Sequence, residues 1–159
     1  MEGRPAVRIA CVVGTYRRET LDQLDFLRSK EIGVQRPRVK RPSEFDVFAF
    51  KLDSERHLLT PKFLRSLTRY DAIIASGSDT ADFLLSRSGF MCIMSVPCVL
   101  PMVGTGLVLG GFLQGKIVAI KPGHLGSQDV FLRIAESLRR LLLESGSRLT
   151  TLIPKDFTR

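Results

Sequence analysis

The sequence predicts an α/β protein, a three-layer α/β/α sandwich with a mostly parallel sheet plus a β-hairpin. Three observations carry that expectation. Short runs rich in β-branched residues alternate with longer amphipathic runs, the order that builds strand–helix–strand units. Each strand-like run ends in a loop of glycine, hydroxyl and charged residues before the next helix. The exception is "GLVLGGFLQGKIVAIKP", where two apolar runs flank Gln114-Gly115 and read as a hairpin.

Taken in order, "VRIACVV" (Val7 to Val13) is a buried strand by its β-branched content and length. "RRETLDQLDFLRSKEIG" places Leu21, Leu24 and Leu27 on one helical face, with Gly33 as the stop. "EFDVFAFKL" sets Phe45, Val47 and Ala49 against Asp46, Phe48 and Phe50, a strand with both faces partly covered. Thr60 is a good N-cap, and Pro61 a good first helical residue because its missing N–H would be unpaired there anyway. "DAIIA" (Asp71 to Ala75) is another buried strand, leading through "SGSDTAD" into a helix that contains Phe83, Leu84 and Leu85. A strand near Met91 to Val96 precedes the hairpin. The last helix, about Gln128 to Glu144, buries Val130, Ile134, Leu138, Leu141 and Leu142; Ser127 caps it and Gly146 ends it. All 159 residues are expected to form a single α/β domain, core about 6–146, with a C-terminal tail over 147–159.

Composition narrows the function classes. The formal charge of +8 favours anionic partners. The basic cluster "QRPRVKRP" (Arg36, Arg38, Lys40, Arg41) is broken by prolines and reads as a solvated loop or sheet edge. With no Trp and two Tyr, there is little material for stacking nucleic-acid bases. Cys11, Cys92 and Cys98 lie in apolar runs without C-x-x-C spacing, as small hydrophobes of a reducing, cytoplasmic compartment. The two histidines, His57 and His124, are far apart and offer no zinc set. The N-terminus does not read as a signal peptide. Ser88 to Gly115 carries no charge, but Pro97, Pro101 and four glycines cut it into strand-sized pieces rather than a membrane span.

In open parallel sheets, ligands bind outside the carboxyl ends of the strands. Four loops should gather there: "GTYRRE", "KLDSERH", "SGSDTAD" and "KPGHLGSQD". Anion capture needs open backbone N–H groups at a helix start and residues small enough for close approach. Gly77, Ser78 and Gly123 are the candidate phosphate-binding amides, with Gly14, Thr15, Pro122, His124 and Ser127 completing the ligand-binding set. Asp53 follows a strand without an evident structural duty and is the best magnesium candidate; Asp79 is either a second metal ligand or an N-cap. Asp82 reads as a first-turn charge favoured by the helix dipole. No Walker loop, G-x-G-x-x-G or G-x-S-x-G pattern is present.

The stretch "VLGGFLQGKIVAIKPGHLGSQDVFLRIAESL", together with "RYDAIIASGSDTAD" and "VRIACVVGTYRRE", resembles the molybdopterin-binding domain of molybdenum-cofactor biosynthesis proteins. Ser76-Gly77-Ser78-Asp79 stands where that family has Gly-Gly-Thr-Gly. The resemblance implies a molybdopterin-type ligand, magnesium and ATP for adenylyl transfer, Asp53 and Asp79 as catalytic metal holders, and a trimer or hexamer. The expected function is binding of a phosphate-bearing small molecule at the carboxyl edge of the sheet. The alternative is a non-catalytic member that serves as an oligomeric scaffold or a nucleic-acid-binding module. A flavodoxin-like or other nucleotide-binding domain would share the order of elements and differ in strand order.

Overall fold

The computed structural model describes residues 6–15, 17–97 and 100–154; Tyr16, Cys98 and the end of the tail lie outside them. In chain order the elements are β1 (Ile9–Thr15), α1 (Arg18–Ser29), β2 (Val34–Gln35), β3 (Phe45–Lys51), α2 (Pro61–Ser66), β4 (Ala72–Ser76), α3 (Ser78–Ser88), β5 (Cys92–Ser95), β6 (Gly104–Leu109), β7 (Ile117–Lys121) and α4 (Val130–Thr151). Among the described residues, seven strands form one sheet in the order β2-β3-β1-β4-β7-β6-β5. Neighbours from β2 through β7 run parallel, and β6 and β5 add antiparallel pairs at one edge. The expected architecture is the observed one.

Strand alternation sorts the core into two layers. Ile9, Cys11 and Val13 of β1 pack with Leu24 and Leu27 of α1 and Ile134 and Leu138 of α4. Ala10 and Val12 face the other way, among Phe63 and Leu64 of α2 and Leu84 and Leu85 of α3. Both faces of the central strands are therefore dry, which is why they read as continuous apolar runs.

Local signals held where they were short-range. Thr60 Oγ1 accepts from the Phe63 N–H at 3.1 Å, and Pro61 opens α2. The basic cluster is tied down as an edge: Arg36 pairs with Glu55 at 2.9 Å, and Lys40 with Asp46 at 2.5 Å. Four expectations are corrected. Leu21 is exposed, so the buried stripe of α1 is Leu24 and Leu27 with Thr20 and Gln23. α1 stops at Ser29 rather than at Gly33, because Glu31 turns left-handed (φ 63°) and the Ile32 N–H returns to Leu27 O at 3.1 Å. α4 runs past Gly146 to Thr151, because Leu149 docks in the core and outweighs the glycine. Cys92 is exposed on the edge strand, whereas Cys11 is buried as expected.

Candidate functional site

The carboxyl ends of β1, β3, β4 and β7 bring all four loops to one place, the "KLDSERH" loop through Leu52 alone. Gly77 N–H donates to Lys121 O at 2.8 Å, which ties the β4 loop to the β7 loop. Between them lies a pocket of about 280 Å³. Gly77, Ser78, Asp79 and Thr80 form one wall, Ile120 with Pro122, Gly123 and His124 a second; Gly14, Arg17, Thr20 and Leu52 complete it.

The α3 wall is built to receive an acceptor. The first N–H groups of a helix have no intrahelical partner, and the N-cap, Gly77, carries no side chain to take one. Ser78, Asp79 and Thr80, all lining the pocket, therefore begin α3 with amides that take no intrahelical bond, at the positive end of the helix dipole. Thr80 is 1% exposed, yet its Oγ1 has no hydrogen-bond partner among the described residues. A hydroxyl in that position is costly unless something bonds it. Gly14 is what leaves it room: a Cβ there would stand 2.4 Å from Thr80 Oγ1.

The opposite wall is held from behind. Lys121 is fully buried, and its Nζ donates to the carbonyls of Pro122, Gly123 and Leu125 at 2.9, 3.2 and 3.1 Å. Thr20 Oγ1 donates to Gly123 O at 2.8 Å; Gln23 Nε2 donates to Leu125 O and Gly126 O at 3.0 and 3.1 Å. Burial pushes the Lys121 pKa down to about 8, against the opposing pull of Cys11 and Glu19. The Cys11 thiol is pushed up by burial, so it is a core side chain and not a nucleophile.

Of the residues expected at the site, Gly14, Gly77, Ser78, Asp79, Pro122, Gly123 and His124 line the pocket. Thr15 does not; its hydroxyl donates to Phe50 O at 3.0 Å. Ser127 lies beyond the loop, its Oγ bonded to Asp129 Oδ1 at 2.5 Å rather than capping α4. Asp53 sits exposed in the turn after β3 and is not part of the lining. Asp79 is in the first turn of α3, with Gly77 as the cap, and Asp82 falls in the second turn. Among the described residues, no group of three or more His, Cys, Asp or Glu side chains is placed to hold a metal ion. Arg17, Thr20, Thr80 and Lys121 were not legible in the sequence as residues of this site. A lysine ending an apolar strand was the one available signal, because a charge there needs buried acceptors.

No protein-family model matches the chain, and no curated protein matches it. Solved structures do. A DUF1537 protein (domain of unknown function) from Bordetella bronchiseptica, crystallised with bound citrate as a domain-swapped dimer, superposes with a TM-score of 0.65 at 19% identity. The match covers 85% of this chain and 42% of that one. A Haemophilus influenzae DUF1537 protein gives 0.60 at 14% identity, covering 81% of this chain and 40% of that one. The shared property is the fold.

These neighbours overturn the resemblance to molybdenum-cofactor biosynthesis proteins. The motifs that carried it, a strand, a glycine turn and a helix start, are demanded by any parallel sheet that closes on its own helices. Molybdopterin as ligand, adenylyl transfer and a trimer or hexamer were implied by that resemblance alone and lose their support with it. Among the described residues, no helix is long and apolar enough to cross a membrane.

Proposed function

We propose that this domain binds an anionic, phosphate-bearing small molecule in the pocket between the start of α3 and the Pro122–His124 loop. The observation that carries the reading is the buried, unpartnered Thr80 hydroxyl beside an uncapped helix N-terminus. Phosphate oxygens would accept from Thr80 and from the open amides of Ser78 and Asp79, where dipole and hydrogen bonds act together. Arg17 at the rim adds positive charge. Asp79 would repel a bare phosphate, so magnesium carried in with a nucleotide such as ATP fits better than a resident ion. A single carboxylate suits a cation that keeps most of its waters and its phosphate ligands. Binding of citrate by a protein of the same fold supports an anion as the ligand class. The neighbours' chains are more than twice as long as the part matched here, so this domain would form one lobe of such a protein.

Calorimetric titration with ATP, pyrophosphate and citrate, with and without magnesium, tests the reading. Binding of a phosphate-bearing ligand is expected in the wild type and should weaken about tenfold in Thr80→Val, which removes one hydrogen bond to a charged group while keeping the shape. Absence of heat with all three ligands, or equal affinity in the variant, would sink it.

A further inference from the structure

The loop after β7 is held through its carbonyls, one of which, Pro122 O, also closes a turn with the Leu125 N–H at 3.0 Å. Six donated hydrogen bonds, three from Lys121, one from Thr20 and two from Gln23, enter the carbonyls of Pro122, Gly123, Leu125 and Gly126. Every described peptide bond is trans, so each N–H points opposite to the carbonyl of the residue before it. With Pro122 O and Gly123 O turned to Lys121, the N–H groups of Gly123 and His124 point away from it, and both residues line the pocket. Gly123 also stands close to the other wall: a Cβ on it would lie 4.0 Å from Gly77 Cα and 3.8 Å from Arg17 Cδ.

We infer that Lys121 is the positioning residue of this site: its buried ammonium holds the Pro122, Gly123 and Leu125 carbonyls inward, so that the Gly123 and His124 amides complete the anion cradle begun by α3. The inference rests on the anion reading for its consequence, and on the hydrogen bonds alone for its geometry. An ammonium has three N–H groups, matched one to one by the three carbonyls. A neutral amine has two and a lone pair, which one carbonyl must then turn away from. The groups that face Lys121 are the Cys11 thiol from β1, Glu19 from α1 and the Phe131 ring of α4, 5.4 Å from Nζ to centroid. Loss of the lysine proton as pH rises through about 8 should therefore loosen the cradle.

Two measurements separate this inference from the reading beneath it. The first is amide NMR of the unliganded protein in a His124→Gln background, which removes the loop's own imidazole. The Gly123 amide and the amide at position 124 are expected to shift together across alkaline pH with one midpoint, and Lys121→Met should abolish the titration. Flat amides overturn the positioning role, whether or not a ligand binds. The second is ATP affinity, expected to fall about tenfold as the wild type passes from the protonated to the deprotonated lysine, and to be pH-independent in Lys121→Met. A wild type that binds no ATP while its loop amides titrate overturns the anion reading and leaves the positioning role standing. ATP affinity that is unchanged across the amide midpoint overturns the link between them.

Discussion

Asp46 shows how one side chain can hold a whole corner of the molecule. It sits buried on β3 and accepts from Tyr70 Oη at 2.6 Å, Ser43 N at 2.9 Å, and from Ser43 Oγ and Lys40 Nζ. Burial alone would raise its pKa, but these hydrogen bonds outweigh burial and hold it below its ordinary 3.8. Removing one partner of a buried charged pair leaves the others stranded, so Asp46→Ala should cost about 3–5 kcal/mol in urea unfolding. Because the folded-state pKa is depressed, this stability is fully present above the unfolded value and lost as pH falls through the folded one. The wild type should therefore lose stability below about pH 4 more steeply than the variant does. At this scale the sequence was only partly legible. It showed Asp46 within a strand with both faces partly covered, but its four donors come from Lys40, Ser43 and Tyr70, and the Tyr70 contact is visible only in three dimensions. Thr80 was harder still, because a threonine inside a helix start gives no sign that its hydroxyl is left without a partner.

At the scale of elements, the start of α4 shows how a turn aims a helix and a binding loop together. Gly126 has φ of 100°, and a Cβ there would lie 2.5 Å from Val130 Cγ2 and 2.8 Å from Val130 Cβ. Left-handed backbone and crowding act in the same direction, so Gly126→Ala should destabilise by about 2–4 kcal/mol in thermal or urea unfolding. It should also weaken ligand binding, since Gln23 holds the Gly126 carbonyl as part of the same loop. The existence and type of nearly every element could be read in advance, because caps, periodicity and β-branched runs are properties of neighbours in the chain. Element ends were less legible. α1 stopped early through a left-handed Glu31, and α4 continued through Gly146 because the Leu149 side chain had a core to enter.

Over the whole molecule, both core layers share one sheet, the pocket lies at its carboxyl edge, and the full chain carries a formal charge of +8. Long-range attraction adds to the local hydrogen bonds for a multiply charged ligand and is screened by salt. Affinity for ATP should therefore fall severalfold between about 0.05 and 0.5 M KCl, and citrate should show the same trend more weakly; calorimetry at each salt concentration reads both. A ligand affinity indifferent to salt would rule out that long-range contribution. The sequence by itself determined the layered α/β class, the alternation that dries both faces of the central strands, and the glycine-rich helix starts where an anion can approach. Those follow from local sterics and burial periodicity. Only the tertiary structure decided the order β2-β3-β1-β4-β7-β6-β5, the closure of the "SGSDT" and "PGHLG" loops around one pocket, the separation of Asp53 from it, and the burial of Lys121 behind its wall. Each of these depends on residues far apart in the chain meeting across a strand pairing, and no local propensity encodes which strand lies beside which.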